Sequence, residues 1–173
     1  MAENKAGIGI YSHPNEFKTA IDDPETPAYL SKNDINSTSI RVSWVQSKRY
    51  TGPTVYKVMT TDLKTNKVVS IFYTQTGLWF DELATEAIIG NLDAYWNYSI
   101  DVKAVTSFCE QDTRYSNTST IYIRTEEDVP GPVTNLTVRN ETDLKKPRQL
   151  FVSWEPPTER DLNGIIVGYD IFC

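Results

Sequence analysis

The sequence predicts an all-β protein built of antiparallel sandwiches in tandem, and three observations carry that prediction. Apolar residues recur with a period of two in one run after another, with no convincing amphipathic helix among them. Turn-forming clusters separate the runs. The chain also matches itself at a fixed offset, the mark of a repeat architecture. Ten tyrosines and four tryptophans in 173 residues supply the large rings that a sandwich buries between its sheets.

The opening AENKAGIGIYS reads as a strand end, a turn at Gly7 and Gly9, then a last strand leading into FKTAIDDPETP. Those glycines lack the G-x-x-x-x-G-K-[ST] context of a phosphate loop. In SIRVSWV (39–45), Ile40, Val42 and Trp44 share one face, with Arg41 and Ser43 on the other. VYKVMT (55–60) sets Tyr56 and Val58 in phase, KVVSIFYTQ (67–75) forms a further strand, and EAIIGNL (86–92) another. YSIDVKAV (98–105) alternates Tyr98, Ile100, Val102 and Ala104 against Ser99, Asp101 and Lys103. STIYIRT (119–125) places Ile121 and Ile123 opposite Tyr122 and Arg124. The intervening TGP (51–53), KTN (64–66), NLD (91–93) and QDTRYSN (111–117) read as turns. Beyond them VPGPVTNLTV (129–138) is a proline-rich linker entering a strand, and QLFVSW (149–154) is a second strand. After the loop EPPTERDLNG, IIVGYDIFC is a third, with Tyr169, Ile171 and Cys173 on one face.

The self-match pairs Thr19 with Thr125, Asp22 with Asp128, Pro24 with Pro130 and Leu30 with Leu136. Residues 1–23 are then expected to be the end of one copy, 24–126 a complete copy and 127–173 the beginning of a third. Met1 reads as an internal residue, so the missing signal peptide says nothing about compartment. Three strands cannot close a two-sheet sandwich, so residues 127–173 are expected to be unstable and to expose an apolar face. The linkers DDPETP and EEDVPGP, stiffened by proline, favour an extended rod.

These motifs resemble the fibronectin type III family over essentially the whole chain. Trp44 matches its second-strand tryptophan, and Tyr56 with Val58 its Y-x-V third strand. Leu92 and Tyr98 match the L-x-P-x-T-x-Y corner, although Ala94 and Trp96 replace the usual Pro and Thr. VSWEPP with Trp154, and NGIIVGYDI with Tyr169, match the same motifs in the next copy. The resemblance implies immunoglobulin-like sandwiches with Trp44, Tyr56, Leu92, Tyr98, Trp154 and Tyr169 as structural core residues.

A formal charge of −6 argues against a nucleic-acid surface and against electrostatic attachment to anionic lipid. The acidic pairs Asp22-Asp23, Asp81-Glu82 and Glu126-Glu127-Asp128 lack the ligand spacing of a calcium loop and read as solvated linker charge. One histidine, His13, and two cysteines, Cys109 and Cys173, supply no catalytic or metal constellation. Neither an active site nor a cofactor or metal is expected, and the two cysteines are expected not to pair with each other. Five of the eleven asparagines head N-x-S/T sequons: Asn36, Asn97, Asn117, Asn135 and Asn140. That density favours an extracellular location, on the cell surface or secreted, with other proteins as partners. The expected role is a non-catalytic binding or spacer segment of a cell-surface receptor or adhesion protein. A receptor-type protein tyrosine phosphatase is one parent that the family resemblance suggests. The alternatives are an intracellular array of the muscle type and an accessory module of a secreted enzyme. Tyr73, Trp79 and Tyr95 are candidate contact residues, since aromatics concentrate at hot spots.

Overall fold

Alternating β-branched and aromatic residues leave the backbone extended, and its N–H and C=O groups find partners across antiparallel ladders. A computed structural model describes residues 3–8, 21–46, 49, 51–74, 84–109, 112–141 and 149–172. Among them there are twelve strands and no helix. The first two, β1 (Glu3–Asn4) and β2 (Gly7–Ile8), face each other across a tight turn. Then follow β3 (Ala28–Ile35), β4 (Ile40–Val45), β5 (Thr54–Asp62), β6 (Lys67–Tyr73) and β7 (Glu86–Ile89). The long β8 (Asn97–Cys109) precedes β9 (Asp112–Tyr115) and β10 (Ser119–Arg124), and β11 (Thr134–Glu141) and β12 (Gln149–Glu155) close the series.

Two sheets build the sandwich. One has the order β3-β4-β7; the other runs β10-β8-β5-β6, with β9 beside the far half of β8. Ile40 and Val42 of β4, Val58 of β5, and Ile100 and Val102 of β8 have no exposed surface at all. Burying such a side chain contributes roughly 1.5–3 kcal/mol. Trp44 and Tyr56 lie between the sheets with centroids 5.1 Å apart and planes at 62°, an edge-on contact across the core. Ala87, Ile89, Leu92 and Ile123 complete the apolar cluster, and Phe72, Trp96 and Ile121 pack on its margin. The turns use the expected chemistry, with Asn66 and Asn91 at φ 53° and 58° in the left-handed region that asparagine tolerates.

Two expectations are corrected here. Residues 112–115, read as part of a turn, form β9, because the thirteen-residue β8 extends past β10 and its outer N–H and C=O groups pair there. Of the run 165–173, read as a strand, residues 165–172 join no ladder among the described residues: without a hydrogen-bonded neighbour an extended segment is not a strand. The expected last strand ahead of Ile21, and the loop through Tyr11 and Ser12 before it, lie outside the described residues.

The self-match in sequence is also a self-match in structure. Tyr29 and Asn135, 106 positions apart, both have positive φ, 53° and 52°, and each sits in a register shift of its ladder. Ser31 Oγ lies 3.2 Å from Ser43 Oγ, and Thr137 Oγ1 lies 2.7 Å from Ser153 Oγ, in matching cross-strand pairs. Trp154 and Tyr169 repeat the edge-on contact of Trp44 and Tyr56, at 5.4 Å and 65°. The linkers dock alike as well. The Asp22 N–H donates to the Thr51 carbonyl at 3.3 Å, and the Asp128 N–H to the Asn163 carbonyl at 2.8 Å. The next residue of each loop is a glycine, Gly52 or Gly164. A Cβ there would stand 2.9 Å from Ile21 or 3.2 Å from Glu127, so both glycines give the linker room to cross.

Candidate functional site

The corner preceding β8 is held by side-chain to backbone hydrogen bonds. The Tyr98 ring is buried in the core, and its hydroxyl accepts the Asp93 N–H at 2.9 Å, tying the loop to the strand. Burial and the nearby Asp62 carboxylate push the Tyr98 hydroxyl up to about 12. Thr125, 2% exposed, donates its hydroxyl to the Asp93 carbonyl at 2.7 Å and accepts the Trp96 N–H at 2.9 Å. Thr125, just past the end of β10, thus closes this corner onto Asp93 and Trp96.

Beside this corner sits Asp62, at the end of β5 and 1% exposed. Burial disfavours its charge, but the Trp96 indole N–H nearby and the backbone N–H groups of Thr65 and Lys64 favour it more. The carboxyl is held at about 2. The Lys64 N–H donates to Asp62 Oδ1 at 2.8 Å and the Thr65 N–H at 3.2 Å. From the loop after β12, Arg160 reaches back over this group. Its Nη2 donates to Asp62 Oδ2 at 2.9 Å, its Nη1 to Asp93 Oδ2, and its guanidinium lies 4.9 Å from the Trp96 ring centroid. Lys64 stands 5.4 Å from the same ring and pairs with Glu159. Asp128 is tied down too: the Ser37 hydroxyl and the Val129 N–H hold its carboxyl below the usual carboxylate range.

A second surface is the outer face of the larger sheet near its β6 edge. Val69, Ile71 and Tyr73 are each about half exposed. Lys57 Nζ lies 5.9 Å from the Tyr73 ring. A hollow of about 60 Å³ lined by Lys57, Met59, Asp101, Lys103 and Thr118 lies on this face, too small for a metabolite. Tyr95 is half-buried with Arg124 4.8 Å from its ring centroid, and Trp79 lies outside the described residues.

The five sequon asparagines are all exposed. Asn36 Oδ1 accepts the N–H groups of Thr38 and Ser39 at 2.9 and 2.7 Å, while Asn97 Oδ1 accepts from Arg124 Nε at 2.9 Å. Asn135 donates its amide to Glu155 at 2.7 Å; Asn117 and Asn140 also face solvent. Of the expected core residues, Trp44, Tyr56, Leu92 and Tyr98 are at most 5% exposed. Trp154 is half-buried and Tyr169 is 42% exposed, which corrects their place as core residues: they touch each other, with no second sheet above them among the described residues. Cys173 and the Cys109 side chain lie outside the described residues, and with them the question of their pairing. Among the described residues no group of three His, Cys, Asp or Glu is placed to hold a metal ion, and no helix is long and apolar enough to cross a membrane. Sequence reasoning missed Arg160 and Asp62; their one signal is an arginine in a linker-facing loop and an aspartate in phase with the buried Tyr56, Val58 and Thr60.

No family model matches the chain. It is 29% identical over its full length to the cell adhesion molecule DSCAM of Gallus gallus, spanning 8% of that protein. To the tyrosine-protein phosphatase Lar of Drosophila melanogaster it is 29% identical over 98% of the chain, again 8% of that protein. The crystal structure of the rat CD45 extracellular region, domains d3-d4, matches its fold with a TM-score of 0.50 at 14% identity, over 68% of this chain and 61% of that one.

Proposed function

We propose, from the fibronectin type III character of the chain, that it is a non-catalytic extracellular segment of a cell-surface receptor or adhesion protein. It spaces and presents surfaces for other proteins; a receptor-type protein tyrosine phosphatase is one candidate parent, whose catalytic domain would lie outside this segment. The observation that carries this reading is the similarity, over all or nearly all of the chain, to a cell adhesion molecule and a tyrosine-protein phosphatase. In this reading, residues 1–23 end one copy, 24–126 form a complete one and 127–173 open a third.

The exposed sequons support the extracellular assignment, because a glycan needs an accessible asparagine amide. Asn36, Asn97, Asn117, Asn135 and Asn140 are the proposed acceptors. The half-exposed Ile71 and Tyr73 on the β6 edge are the proposed contact residues, where an apolar and aromatic surface can be covered by a protein partner. Expression in a secretory host should give a product whose mobility falls back to that of the bare chain after N-glycosidase treatment. Replacing the five asparagines by glutamine should abolish the shift. A secreted product with no glycan, or a native full-length protein confined to the cytosol, would overturn the assignment.

A further inference from the structure

Consecutive domains in one chain are expected to move relative to each other unless something holds them. The junction after β10 holds them in a specific way. The linker 126–131 is bound to the loop that follows β12: the Asp128 N–H reaches the Asn163 carbonyl at 2.8 Å, the Gly131 N–H reaches the Asp161 carbonyl at 2.7 Å, and the Asn163 amide donates to the Val129 carbonyl at 2.7 Å. That loop therefore travels with the linker. Its Arg160 then crosses to the sandwich, where it meets two carboxylates on different elements and the face of Trp96.

We propose that Arg160 is a latch that fixes the orientation of the β11-β12 repeat relative to the preceding sandwich, so that the two tumble as one body. This goes beyond the extracellular reading and does not depend on it. Three features make the contact a latch. Asp62 is 1% exposed beneath the arginine, and its Oδ1 is already held by the Lys64 and Thr65 N–H groups, so its Oδ2 is fixed in place for the guanidinium. The planar guanidinium can bond Asp62 and Asp93 with separate nitrogens while its face lies on an indole, which an ammonium cannot do. The neighbouring Lys64–Glu159 pair, also on Trp96, links the same loop to the sandwich a second time. The equivalent loop earlier in the chain also carries an arginine bound to an acid: Arg49 pairs with Asp22 of the linker ahead of its own sandwich.

The test is amide residual dipolar couplings on the full chain, comparing residues 28–124 with residues 134–155. In the unsubstituted protein a single alignment tensor should fit both sets. Arg160→Ala should require two tensors and shift the Trp96 indole N–H resonance, while the core resonances of β4, β5 and β8 stay in place. Arg139→Ala, on the exposed surface of β11, should change neither. Separate tensors in the unsubstituted chain, or one shared tensor after Arg160→Ala, would overturn the latch. So would a loss of the shared tensor in Arg139→Ala.

Discussion

The same strand pattern occurs twice in this protein and meets two different fates. In β4, Ile40 and Val42 are fully buried and Trp44 is 4% exposed. In β12, Leu150 is 67% exposed, and Val152 and Trp154 are only half-buried. The local structure is the same, down to the positive-φ residue in the partner strand, the hydroxyl pair across the ladder and the edge-on Trp–Tyr contact. What differs is the second layer. Over β4 lies a sheet of five strands; over β12 the described residues place none. Period-two alternation thus specifies which side chains share a face, whereas burial and its free energy come only from what covers that face.

The comparison breaks most visibly at the tryptophans. Trp44→Ala should destabilise the sandwich by roughly 3–5 kcal/mol, the range for truncating a buried ring. Trp154→Ala should leave the sandwich's denaturant midpoint unmoved and reduce amide protection only in β11 and β12. Equal midpoint losses would show that the two regions unfold as one cooperative unit.

A smaller effect follows from Asp62. Its carboxyl is held at about 2, below the ordinary value of about 3.9 for an unfolded aspartate. A depressed carboxylate contributes stability that is fully present above the unfolded value and is lost as pH falls through the folded one. The sandwich should therefore lose about 2 kcal/mol from this group between pH 5 and pH 2. Asp62→Asn should remove that share of the acid dependence, read from denaturant midpoints across the interval. An unchanged acid profile in the variant would assign the loss to other carboxylates. At the small end, Leu150→Ala should shift the sandwich's stability by less than about 0.5 kcal/mol, as for surface sites. Ile40→Ala at the matching position should cost about 2–5 kcal/mol. Thermal unfolding of the two variants side by side would measure the difference.

Much of this was legible in the residues. Alternation located β4, β5, β8 and β10 and the side of each that turns inward. The turn chemistry of Asn66 and Asn91, and the repeat itself, were equally plain. The strand β9 was hidden, because Asp112, Thr113 and Arg114 carry no apolar alternation; it exists because β8 is long enough to need a partner there. Residues 165–172 show the reverse case, where alternation is present without a ladder to join.

By itself the sequence determined the strand faces and the buried residues Trp44, Tyr56, Leu92 and Tyr98, because those depend on local spacing and side-chain type. Only the tertiary structure decided that Asp62 is a buried anion, that Thr125 closes the tyrosine corner, and that Arg160 reaches back from the next repeat to bind both Asp62 and Asp93. The physical reason is distance along the chain. Arg160 is 98 residues from Asp62 and 67 from Asp93, and no local pattern encodes which distant carboxylates a loop arginine will meet.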